Sequence, residues 1–99
     1  MEVYTFADNP SYVDISTYPN PVLDEIFIEF KKIPKDVKSA TVEISNVAGQ
    51  ILYQVNHDIS YNHLIKIDYG ERLVPAAYMI TVDVGNGYSV TQKFIKKDN

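Results

Sequence analysis

Tyr78-Met79-Ile80-Thr81-Val82-Asp83-Val84-Gly85-Asn86-Gly87-Tyr88 decides the fold class. Tyr78, Ile80, Val82 and Val84 fall on one phase of a period of two, and Met79, Thr81 and Asp83 fall on the other. That alternation is a strand with one face buried. Gly85-Asn86-Gly87 then turns the chain, because Asn-Gly accepts the left-handed backbone that a two-residue hairpin needs. The partner strand follows over residues 88–95 and ends in Lys96-Lys97-Asp98-Asn99.

Working outward, Leu73-Val74-Pro75-Ala76-Ala77-Tyr78 places a tyrosine just inside the penultimate strand, after a proline-marked crossover. A tyrosine at that corner of an immunoglobulin-like sandwich packs inward and donates its hydroxyl to upstream backbone, here within residues 71–75. His63-Leu64-Ile65-Lys66-Ile67-Asp68-Tyr69 alternates with Ile65, Ile67 and Tyr69 inward. Thr41-Val42-Glu43-Ile44-Ser45 is another strand. Asn46-Val47-Ala48-Gly49 forms its hairpin loop, with Gly49 free to take a positive φ, and the partner spans residues 50–56. Ile26, Ile28 and Phe30 share one face of a strand that begins after Tyr18-Pro19-Asn20-Pro21, whose prolines lack donors and fix φ. Val13-Asp14-Ile15 alternates before them.

Seven or eight such strands, with turn signals between them, predict an all-β, immunoglobulin-like sandwich of about seven strands. Ile28, Val42, Ile44, Ile67, Tyr78, Ile80 and Val82 are its expected core. Residues 1–11 are read as an N-terminal edge segment or linker, with Asp8-Asn9-Pro10-Ser11 a loop, and residues 12–97 as the domain.

The chain has 99 residues, enough for one domain that buries roughly two-thirds of its unfolded surface. Its 45% hydrophobic and 22% charged residues belong to a globular protein rather than a disordered tail. A net charge of −4 argues against nucleic acid. With no cysteine there is no disulfide scaffold, thiol nucleophile or thiolate-bound zinc. The first residues lack the basic and apolar regions of a signal peptide, so a signal for an exported chain lies elsewhere. No apolar run approaches the ~20 residues that cross a bilayer as a helix.

The residues suggest no chemistry. His57 and His63 flank a loop at no metal-binding spacing and read as solvent-facing loop histidines. Asp8, Asp14, Asp24 and Glu25 lack calcium-loop spacing. No nucleophile elbow surrounds any serine, Gly85-Asn86-Gly87 lacks the context of a phosphate cradle, and Asn9-Pro10-Ser11 fails as a glycosylation sequon. Lys31, Lys32, Lys35 and Lys38 read as charges protecting a sheet edge. No enzyme, cofactor or metal is expected.

Taken in order, these segments resemble the type A C-terminal sorting domain of the type IX (Por) secretion system, over about residues 17–97. Tyr18, Pro19, Asn20 and Pro21 match its opening motif, and Ile26 to Phe30 its alternating strand. Residues 42–50 match its glycine turn, and Leu73 and Tyr78 its Leu-x-x-Gly-x-Tyr segment, with Ala76 where the family usually has glycine. Lys93-Phe94-Ile95-Lys96-Lys97 is similar to its lysine-led last strand.

The resemblance implies a non-catalytic module that targets a larger exported protein through the periplasm to the cell surface. Its cargo lies N-terminal in the same polypeptide, its partner is outer-membrane secretion machinery, and no cofactor is involved. Pro19, Asn20, Pro21, Gly49, Leu73, Tyr78, Lys93 and Phe94 are the motif and recognition candidates. The alternative is a secreted fibronectin-III-like accessory binding or adhesion module, since fold alone does not determine function.

Overall fold

The computed structural model describes residues 13–19, 21–22, 24–34, 36–85 and 87–97. Among these, seven strands form: β1 (Asp14–Tyr18), β2 (Ile26–Lys32), β3 (Ser39–Asn46), β4 (Ile51–Asp58), β5 (Leu64–Ile67), β6 (Ala76–Gly85) and β7 (Tyr88–Lys96). A short 3-10 turn, Asp68–Arg72, connects β5 to the β6 crossover. One sheet has the order β1-β2-β5 and the other β4-β3-β6-β7, with every neighbouring pair antiparallel. This is the all-β sandwich that the alternation predicts. The 1–11 segment and Asn86 of the Gly-Asn-Gly turn lie outside the described residues.

Register follows from burial. Val42 faces Val82 and Ile44 faces Ile80 across β3 and β6, and all four side chains are fully buried. Ile26 and Ile28 of β2, paired with Ile67 and Ile65 of β5, supply the opposing layer. A slip of one residue in any of these strands would turn its apolar row to solvent, so the two inner faces lock each other's register. All seven expected core residues are buried. Gly49, at φ +87, and Gly85 and Gly87, at +91 and +82, occupy the left-handed region as the hairpins require. The Asn46 carboxamide oxygen accepts from the backbone of Ala48 and Gln50, which fixes the β3–β4 turn.

Three expectations are corrected. The strand before the crossover ends at Ile67, and Tyr69 sits half-buried in the 3-10 turn instead of extending the inward row. His57 is no loop residue: β4 runs on to Asp58, and the half-buried imidazole lies 3.1 Å from the Tyr53 hydroxyl. His63 is exposed in a loop, as expected. Lys31 and Lys32 end β2, the middle strand of its sheet, and Lys38 is exposed just before β3, an inner strand of the other, so none of these lies on an edge strand, while Lys35 lies outside the described residues.

Candidate functional site at one end of the sandwich

The sequence motifs lie far apart in the chain, yet most of them meet at one end of the fold. Antiparallel pairing places Asn46, Tyr78 and Phe94 in one row across β3, β6 and β7. The Tyr78 and Phe94 rings stack at 5.6 Å, both buried. The Tyr78 hydroxyl donates to the Val74 carbonyl at 2.6 Å, inside the stretch predicted for it. Leu73 is buried just upstream, and its backbone N–H closes the 3-10 turn onto the Gly70 carbonyl. Ala76 takes no positive φ, so alanine is tolerated where the family usually has glycine.

The chain after the proline motif comes to the same place. Val22, fully buried, bridges β7 in parallel: its N–H donates to the Ile95 carbonyl at 2.7 Å, and its carbonyl accepts from Lys97 N–H at 2.9 Å. Pro19 and Pro21 flank this region, both exposed, with a cis Tyr18–Pro19 bond, and Asn20 lies outside the described residues. A parallel bridge from the opposite sheet's lead-in to the last strand joins the two layers at their rim.

Two polar residues of β7 complete the join. Strand parity places Gln92, Phe94 and Lys96 on its inner row and Lys93 and Ile95 on its outer one. The Gln92 amide donates to the Ile15 carbonyl at 2.9 Å, and its oxygen accepts from the Thr17 hydroxyl at 3.3 Å. Lys96 is 7% exposed, its Nζ donating to the Gly70 carbonyl at 2.8 Å and lying 3.8 Å from Asp24 Oδ1. A buried ammonium is tolerated only where such acceptors replace its water. Lys93 is exposed opposite Met79, on the outside of the sandwich. Gly49 is exposed at the tip of the β3–β4 turn, which brings Asn46 and Val47 beside Leu73 and Tyr78.

The structure therefore brings together Leu73, Tyr78 and Phe94, sets the Gly49 turn beside Leu73 and Tyr78, joins Val22, just after the proline motif, to the end of β7, and leaves Lys93 apart. Sequence reasoning missed Val22, Gln92 and Lys96. Lys96 could have been found from its parity with the apolar Phe94, a charged residue two places on along an inward row. The ionisable groups carry small, local perturbations: the Glu25 carboxylate, 2.9 Å from Lys66, raises that lysine's pKa, and Ser60 N–H on Oδ1 lowers that of Asp58. Among the described residues no cluster of His, Cys, Asp or Glu is placed to hold a metal. Within them, no helix is long and apolar enough to cross a membrane.

No curated protein matches the chain. Residues 16–97 match a family model described as a secretion system C-terminal sorting domain, a span that contains every motif gathered at this end of the fold and favours sorting over an accessory adhesion role. The chain belongs to that family, the type IX secretion sorting domains, whose presence marks the carrying protein for export to the cell surface or beyond it.

Proposed function

We propose that outer-membrane secretion machinery reads this domain as a folded, non-catalytic address, with its cargo N-terminal in the same polypeptide. The route runs through the periplasm and ends with the cargo displayed at the cell surface. The family is not one known as catalytic, and the site gathers packing and capping groups rather than a nucleophile with a base. One observation carries the proposal. The Val22–β7 bridge joins the two ends of the sequence signature, so the signature is spatially complete only in the folded chain. Of the motif residues, Leu73, Tyr78 and Phe94 build that folded end, Pro19, Pro21 and Gly49 are exposed for a receptor to touch, and Lys93 is exposed apart from them on the outer face of β7.

A reporter carrying a signal peptide and this domain tests the reading in a host with type IX secretion. The intact fusion is expected at the cell surface. Removing residues 93–99 takes away the strand end that pairs with Val22, and the reporter should remain in the periplasm. Lys93→Ala separates recognition from folding, since an exposed lysine usually changes stability by less than ~0.5 kcal/mol. Equal surface delivery of the truncated and intact fusions would show that the folded end is not what is read.

A further inference from the structure

Where the Gly49 turn meets the Tyr78 corner, a cleft of about 350 Å³ opens to solvent. Val47, Leu52, Tyr69, Val74 and Ala77 line it, and among the described residues of its walls Arg72 is the only charged one. Val47 is 78% exposed and Val74 69%, a degree of exposure the sandwich does not need from aliphatic side chains. Both walls are held in place. The Tyr78 hydroxyl fastens the Val74 carbonyl, and the Asn46 carboxamide fastens the turn that carries Val47. Arg72 is left available: Lys66 pairs with Glu25 and Lys96 with Asp24 and Gly70, whereas no described residue binds the Arg72 side chain. A lone guanidinium above apolar walls suits one carboxylate, because a phosphate dianion calls for more than one cation or amide donor.

We propose that this cleft docks a peptide segment of the export machinery in which an Asp or Glu stands beside a bulky apolar residue. The carboxylate pairs with Arg72 and the apolar side chain lies between Val47 and Val74. In a chain of net charge −4, this cation inside an apolar groove selects an acidic-apolar segment against the basic partners that the rest of the surface would attract. The proposal rests on the sorting reading and assigns it a surface.

The test uses the reporter fusion with a photo-reactive phenylalanine analogue at Val74, and a second fusion with the analogue at exposed Glu29 on the three-stranded sheet. Sequencing the cross-linked product from Val74 should show a machinery peptide with Asp or Glu next to an apolar residue, and Glu29 should not yield that product. Arg72→Glu should lower both cross-linking and surface delivery roughly tenfold, the scale of one interface anchor. Val47→Ser, on the opposite wall and without a charge change, should lower both as well, with melting temperatures unchanged in either variant. If the intact fusion reaches the surface and these variants do so equally, the groove is wrong and the sorting reading stands. If the intact fusion is not exported, both fail. A cross-link between two copies of this chain would replace the proposal with self-association.

Discussion

Strands β7 and β4 are the two outer strands of one sheet, and they are finished in opposite ways. β7 turns polar side chains inward and uses them as ties: Gln92 reaches β1, Lys96 reaches the 3-10 turn, and Val22 adds a parallel bridge along its end. β4 has no strand neighbour beyond β3 among the described residues. Its inner row, Tyr53, Val55 and His57, stands opposite the buried Ile44, Val42 and Ala40, yet Val55 is 41% exposed. The facing sheet has three strands to cover four, and β4 is the least covered, with Leu52 and Tyr53 only partly buried against the core. An edge is thus closed by side-chain reach on one side of the molecule and left available on the other. The Arg72 cleft, which takes Leu52 from β4, opens on the available side.

The shared middle sets the scale for the comparison. Ile80 lies between β3 and β7 and is fully buried, so Ile80→Ala should cost ~2–5 kcal/mol in chemical denaturation. Val55→Ala on the least covered strand should cost clearly less. Equal losses would mean that both edges are buried alike. At the closed edge, Lys96→Ala removes a buried charge-assisted bond and the packed stem, and should cost about 1.5–3 kcal/mol. Lys96→Met restores the stem and leaves the Gly70 carbonyl without that donor, so it should recover part of the loss. A melting temperature unchanged by either substitution would show that β7 is held by its ladder alone.

The closed edge was also the harder one to read. Core positions were legible because each lies on a two-residue phase with several apolar neighbours, as Ile80 and Val82 do. The Tyr78 corner was legible because a proline-marked crossover and an inward tyrosine form a local pattern. The ties were not, since Gln92 meets Ile15 and Val22 meets Ile95 across more than seventy residues, and no local period reports such a contact. Lys93 drew attention as the first lysine of the strand, whereas the residue with the structural duty is Lys96, on the inner row. The end of β5 is not legible, because Asp68-Tyr69 continues the alternation in sequence while the backbone already turns. His57 reads as a loop residue in sequence because β4 extends past the apolar residues that mark it.

Tyr78 offers a smaller test at the junction between the closed edge and the cleft. Tyr78→Phe keeps the ring stacked on Phe94 and removes only the hydroxyl bond to Val74, so about 0.5–1.5 kcal/mol should be lost. Because that bond also holds a wall of the cleft, amide exchange near Val74 should speed up more than at Phe94. Uniform acceleration would indicate global destabilisation rather than a loosened corner.

The smallest effect is expected on the least covered strand, from His57. Its imidazole is half-buried beside Tyr53, whose ring in turn lies 5.2 Å from that of Tyr69, and this burial lowers the histidine's pKa below its ordinary 6.5. The neutral ring is therefore the form the folded state prefers, and the unfolded chain binds more protons at mildly acidic pH. Stability from this group is present in full above the unfolded pKa and is lost as pH falls through the lowered folded value. Asp58 follows the same sign in a separate window, because Ser60 N–H lowers its pKa from the ordinary 3.8, so its contribution fades only in stronger acid. Melting temperatures of the wild type and His57→Gln, followed downward from about pH 7.5, should diverge most above pH 6.5 and converge below it. Curves that stay parallel throughout would mean that the imidazole is as well hydrated in the fold as in the unfolded chain. The Tyr53–Tyr69 cover would then be too thin to matter, and β4 would be a bare edge along its whole length.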